Sequence, residues 1–323
     1  MRFLARVVAV PVVLATCAFQ SMAQSYPSKP IRVIVGSPPG NPSDLVLRAA
    51  AQELAPRLGQ SLIIENRAGA TEILSQEACA KAAPDGYTWC IVSKDGMSYN
   101  PHLISKLPYD PDRDYRPVTR LYFLIDALAV TASLPVNTFK ELQDLAVAKP
   151  GTLNFGTRGA GGNQDFFRLW LAERWKTKIV AVPYKGVNFI FNALVSGELQ
   201  VANVSVGNAI KQAKAGKIKV LAVALSKRLP TLPQVPTFDE VGLGSAPTRP
   251  FWGLVVPAGT PDEIVRRVNA EFHWLSREAK FVQFMDNRYL EIAMGTPEEF
   301  GAYLKADRER IGDLVKKYNI PRQ

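Results

Sequence analysis

The stretch 35-VGSPPGNPSD-44 joins a short apolar run, 31-IRVIV-35, to a pattern made by Leu47, Ala50 or Ala51, Leu54 and Leu58. The run has the length and β-branching of a strand, and the spacing after it is that of one helical face. Asn41 stands where an N-cap belongs, Pro42 at the first helical position and Asp44 in the first turn. The loop therefore delivers a strand into the open N-terminus of a helix. Such a terminus carries unpaired amides and a partial positive charge, which suit an anion. Many α/β folds use the same turn only as a connection, so a second feature has to separate the two readings.

That feature is 155-FGTRGAGGNQDFF-167, which repeats the arrangement further along the chain. A strand ends at Phe155, glycines follow, and Asn163 is placed to cap a helix carrying Phe166, Leu169 and Trp170. Two loops of this kind, facing each other across a cleft, would hold one anion from both sides.

Around them, strand and helix patterns alternate, which predicts an α/β fold with mainly parallel sheets. Strands are expected at 31–35, 62–65, 88–92, 153–156, 179–182, 199–206, 219–225 and 252–256. Gly59, Gly197 and Gly216 serve as helix stops. The segments 260-TPDE-263 and 296-TPEE-299 read as capping boxes opening helices. Two stretches break the alternation. 118-VTRLYFLIDALAVTAS-133 is too long for one ordinary strand, and 226–250 is proline-rich without a period. Both are expected to be crossings between two lobes, so that the C-terminal segment completes the first lobe. The expected division is 26–125 with 249–323 as lobe 1 and 126–248 as lobe 2, with the binding cleft between them.

The first 23 residues read as a secretory signal: Arg2 and Arg6, then apolar 7-VVAVPVVLATCAF-19, then 21-SMA-23 with cleavage after Ala23. Acylation of Cys17 competes, but Thr16 is a poor residue just before it. The whole chain carries 39 Lys and Arg against 29 Asp and Glu, a net +10, of which Arg2 and Arg6 leave with the signal. Without a dense basic run or interleaved aromatics, this excess does not predict nucleic acid as a partner. It suits acidic small molecules or plain solubility. Cys79 and Cys90 remain; export permits a disulfide, while two packed thiols is the simpler reading. No spacing for a metal or cofactor occurs, and none is expected. His102 and His273 are the only histidines. No nucleophile elbow or carboxylate pair accompanies them, so no catalytic residue is assigned and an exported enzyme is only a remote alternative.

The segments 26-YPSKPIRVIV-35, 65-ENRAGA-70, 82-AAPDGYT-88, 107-LPYDPDRDYRPV-118, 182-VPYKG-186, 214-KAGKIKVLAV-223 and 253-GLVVPAGTP-261 together resemble the periplasmic receptors of tripartite tricarboxylate transporters, the Bug family. The resemblance spans nearly all of the chain after the signal. It implies a two-lobed type II periplasmic-binding-protein fold with a ligand cleft between the lobes. It also implies a receptor that captures a small organic acid, a di- or tricarboxylate or an aromatic acid, and hands it to membrane transporter subunits; a monomer is expected, with a sensor that presents its closed form to a kinase as the alternative. The ligand carboxylate would then be held by Ser37, Gly40, Asn41 and Ser43 on one side and Thr157, Gly161 and Asn163 on the other. The sequence departs from the family pattern at Ser37, Asn41 and Asp165, at Thr71 and Glu72 in place of a glycine pair, and at Val187.

Further ligand contacts are expected from residue chemistry. Arg158 is suited to a distal carboxylate. Glu72, with Thr71 beside it, would take a hydroxyl or amine, or pair with Arg158. Asn203 and Ser205 share one face of 199–206 near its carboxyl end, and Ser93 ends its strand in the same way.

Overall fold

The computed structural model describes residues 26–323. The signal and Cys17 lie outside the described residues. The chain begins with β1 (Ile31–Val35), α1 (Pro42–Leu58), β2 (Leu62–Asn66), α2 (Ile73–Ala80), β3 (Thr88–Ser93), α3 (Asn100–Leu103) and β4 (Tyr115–Leu124). Ile125 alone separates β4 from β5 (Asp126–Thr131), which enters a second lobe. There α4 (Phe139–Ala148), β6 (Asn154–Thr157), α5 (Asn163–Arg174), β7 (Val180–Pro183), α6 (Val187–Ser196), β8 (Val201–Ser205), α7 (Val206–Lys214) and β9 (Ile218–Val223) follow. The chain returns as β10 (Phe251–Pro257), α8 (Asp262–Leu275), α9 (Ala279–Asp286), β11 (Leu290–Ile292) and α10 (Pro297–Lys317).

Each lobe is built on one sheet, in the orders β11-β4-β10-β3-β1-β2 and β7-β6-β8-β5-β9. Both sheets are mixed rather than mainly parallel. β1 runs parallel to β2 and β3, and β6 to β7 and β8, because helices carry the chain back between them. β10 is antiparallel to β3 and β4, and β5 to β8 and β9. These are the strands by which the chain crosses, and they enter their sheets from the opposite side. The long apolar run 118–133 thus divides at the crossing, and Leu124 N–H bonds Pro250 O at 3.1 Å, tying the outgoing path to the return.

Alternation along β1 sends its side chains into two cores. Ile31, Val33 and Val35 meet Leu47, Ala50, Leu54 and Leu58 of α1. Ile34 faces the other way, into the cluster of Cys79, Cys90, Phe251 and Phe300. Truncating a leucine as buried as Leu54 would cost about 2–5 kcal/mol. Over β10, α10 approaches so closely that a Cβ on Gly253 would lie 2.1 Å from Phe300 Cζ.

Cys79 and Cys90 form a disulfide, not two packed thiols. Packing α2 against β3 brings their Cα atoms to 6.1 Å, within bridging range. The capping box at Thr296 forms as expected, with Glu299 answering the cap. The one at 260–263 does not: Thr260 turns its hydroxyl to Pro257 O at 2.7 Å, and Pro261 becomes the N-cap. Asn163 is likewise inside α5, whose N-cap is Gly162.

Candidate functional site

The two strand-to-helix loops have matching internal bonds. In the first, Gly40 N–H donates to Asp44 Oδ2 at 2.9 Å, and Arg48 and Asn66 also bond this carboxylate. In the second, Gly161 N–H donates to Asp165 Oδ2 at 3.1 Å, and Arg168 holds the other oxygen. Both glycines have positive φ, +81° and +76°, which folds each loop back onto an aspartate four residues on. Burial alone would raise the Asp44 pKa, but the bonds from Arg48, Gly40 and Asn66 outweigh it and hold it below the usual range. The glycine amides expected to grip an anion are thus committed to these aspartates. The open groups are the next amides of α1 and α5, which have no intrahelical acceptor.

Both loops border a cavity of about 730 Å³ between the lobes. Its lining includes Ser37, Gly40, Asn41, Ser43, Glu72, Ser93, Arg158, Asn163, Asn203 and Ser205. Three expected contacts lie off it: exposed Thr71, and buried Thr157 and Gly161. Thr157 Oγ1 instead accepts from Gly159 N–H at 3.3 Å. A Cβ on Gly161 would strike Leu103 and Ile320, so that position serves packing between the lobes. A second hollow, about 790 Å³, lies wholly on the second lobe beside β9 and has no part of either loop. The cavity between the lobes is therefore the candidate site.

Several lining groups bond one another. Ser37 and Ser43 hydroxyls are 2.7 Å apart. Ser93 Oγ donates to Glu72 Oε2 at 2.7 Å and accepts from Asp95 N–H at 3.1 Å. Asp95 opens a π-helical turn, Asp95–Tyr99, of the kind that collects at functional sites. Its carboxylate takes Arg158 Nη2 at 2.8 Å. Arg158 is thus neither a solvated loop charge nor Glu72's direct partner, and only its Nε is left buried without a partner. Tyr99 also reaches the second lobe, donating to Asn163 Oδ1 at 3.2 Å and stacking on Phe166. Behind this turn Lys94 is buried against Asp307, at 2.6 and 2.7 Å from its two oxygens.

Glu72 is presented by an unusual backbone. Ala70, Thr71 and Glu72 have φ of +45°, +50° and +69°, left-handed values without a glycine among them. Each costs about 1–2 kcal/mol. Asn100 Nδ2 donates to Thr71 O and Ser75 Oγ to Glu72 O, which hold the turn. The Glu72 stem lies over Gly36, where an added Cβ would come within 2.8 Å of its Cγ. Burial, and secondarily the charge of Asp95, pushes its pKa up to about 8.

Residue-by-residue reading of the sequence missed Asp95, Gln164 and Asp126, all on the cavity wall. Asp126 had a legible signal: it is the lone acid in the run 118–133. It is 6% exposed, accepts from Asn203 Nδ2 at 3.1 Å, and burial raises its pKa to about 6. Trp252 both packs at the second crossing and walls the cavity, stacked on Tyr122 with centroids 5.2 Å apart. His102 sits in α3, bonded to Arg308 O, and takes no part in the cavity. Among the described residues no His, Cys, Asp and Glu cluster could hold a metal, and no helix is long and apolar enough to cross a membrane.

Two α/β lobes facing each other across a cavity define the fold of a periplasmic solute-binding protein. The chain belongs to the Bug-type receptors of tripartite tricarboxylate transporters: the family described as "Tripartite tricarboxylate transporter family receptor" matches residues 46–320. A relative from Pseudomonas sp. (strain P51), the UPF0065 protein of the tcbD-tcbE intergenic region, is 30% identical over 297 residues, covering 92% of this chain and 88% of the relative. Among solved structures, R. palustris Rpa4515 with adipate has a TM-score of 0.82 at 27% identity, over 92% of this chain and all of that one. MatC from Rhodopseudomonas palustris, with bound malate, has a TM-score of 0.76 at 28% identity, over 90% of this chain and all of that one.

Proposed function

We propose that this protein is a periplasmic receptor that closes on a small organic carboxylate and delivers it to the membrane subunits of a tripartite tricarboxylate transporter. The observation that carries this is the pair of matched loops, each aiming a helix N-terminus at one cavity from its own lobe. The carboxylate would lie between the amides and hydroxyls at Ser37–Ser43 and the start of α5, with Arg158 Nε as a further donor. Ser93 and Ser205 would contact the ligand's edges. Adipate and malate in two structural relatives support an organic acid as the ligand class. Residues 26–125 with 249–323, and 126–248, would move as two rigid bodies of one monomer, and the ligand would leave chemically unchanged.

Calorimetry and thermal shift with a panel of mono- and dicarboxylates test this reading, since a ligand of the folded form raises the melting temperature. Binding of at least one acid, weakened by Ser43→Ala, is the expected result. Failure of every acid to bind would overturn it. Loss of uptake of that acid in cells lacking the receptor would establish delivery.

A further inference from the structure

One part of the cavity wall, where the start of α5 meets β5 and β8, is made of hydrogen-bond acceptors. Asp126, Asn203 and Gln164 are 6%, 3% and 8% exposed, and all three line the cavity. Asn203 Nδ2 is committed to Asp126 Oδ2, which fixes the amide orientation and turns its Oδ1 away. That Oδ1, and Gln164 Oε1, are buried and have no partner. A buried acceptor left unsatisfied is costly, so two of them on one cavity wall are groups waiting for donors.

The charge of this wall is answered by amides and, from a distance, by Arg249 and Lys94, but by no direct ion pair. Among the described residues Asp126 has no salt-bridge partner within 4.0 Å. The cations that could compensate are committed elsewhere: Lys94 to Asp307, Arg249 to Glu291, and Arg158 to Asp95. A ligand with a second carboxylate would bring an anion against Asp126 and acceptors against acceptors. A hydroxyl would satisfy Asn203 or Gln164 but leave the aspartate's charge alone. A protonated amine supplies three donors and a direct counter-ion together.

We propose that Asp126, Asn203 and Gln164 form an ammonium subsite, so that the ligand is an organic acid that also carries a protonated amine. This rests on the reading of the loops as a carboxylate site. The Asp126 pKa of about 6 leaves the group mainly ionised at neutral pH, as the pairing requires.

The experiment is calorimetry at neutral pH on chain-matched probes: succinate, γ-hydroxybutyrate and γ-aminobutyrate; glutarate and δ-aminovalerate; adipate and ε-aminocaproate; and butyrate as a plain monoacid. The amino acid should bind tighter than its diacid by about tenfold, close to 1.4 kcal/mol, at the length that fits. Asp126→Asn, isosteric and neutral, should erase that preference. Gln164→Leu is a second variant, away from the crossing, and should reduce it. A diacid or hydroxy acid that binds tighter than its amine counterpart overturns the subsite while leaving the carboxylate reading standing. So does a preference that survives both substitutions. No binding of any probe, butyrate included, at millimolar concentration overturns both.

Discussion

Arg158 Nη2 lies 2.9 and 2.8 Å from the two oxygens of Asp95, joining the second lobe to the first at the wall of the cavity. The pair is a strap between lobes and not a free cation awaiting a distal carboxylate. Arg158→Ala and Asp95→Asn should therefore each enlarge the radius of gyration of the unliganded protein in small-angle scattering. The double variant should change it no further than either single one. Added salt should mimic part of the effect, because the pair is partly exposed. Equal losses of diacid and monoacid affinity are expected in Arg158→Ala; a loss confined to diacids would assign the arginine to a distal carboxylate instead.

Asp307 holds buried Lys94 and also accepts from Ser98 Oγ at 2.7 Å. Asp307→Asn would leave an ammonium without its counter-ion in the interior, at a cost of about 3–5 kcal/mol. Replacing both partners, as Lys94→Met with Asp307→Leu, should cost less than the single change. Urea midpoints at constant slope would measure this.

The raised pKa of Glu72 has a defined sign in stability. Between 4.5 and about 8 the folded protein keeps a proton that the unfolded chain has released. Stability therefore falls as pH rises through that range, and the fall ends above about 8. Asp126 acts in the same direction only between 3.8 and about 6, and Lys94, lowered to about 8, acts in the opposite direction above that value, so the interval 6–8 reports mainly Glu72. In Glu72→Gln the urea midpoint should lose its downward slope over that interval. An unchanged slope would assign the titration to another group.

Thr71 has φ +50° and is exposed, off the cavity. Thr71→Gly should relieve strain and stabilise the protein by up to about 1 kcal/mol, less the glycine's extra chain entropy. A lower melting temperature would mean the left-handed turn is not strained at this position.

How much of this was legible depended on how local each cause is. β1, the loop at 35–44 and the face of α1 follow from period and capping within a few residues, and they stand where the pattern put them. The second loop was legible for the same reason, but Asn163 lost the cap to Gly162, whose extended backbone turns the chain one residue earlier. Sheet direction was not legible, because parallel or antiparallel pairing of β5 and β10 is decided by the lobe each enters. Nor was the Arg158–Asp95 pair, whose partners are 63 residues apart and meet only when both lobes are in place. The disulfide needed the packing of α2 on β3 to be known.

The one-residue joint at Ile125 has a mechanical consequence. Asp126 follows it directly, and Leu124 before it is bonded to Pro250 on the return path. For any rotation of one lobe against the other about that joint, a residue moves in proportion to its lever arm. Asp126 is then a nearly fixed point, and loop residues farther from the pivot sweep longer arcs. A ligand that first settles on the stationary end of the cleft would wait there while the moving ends come to it, so encounter and capture would be separate events in time.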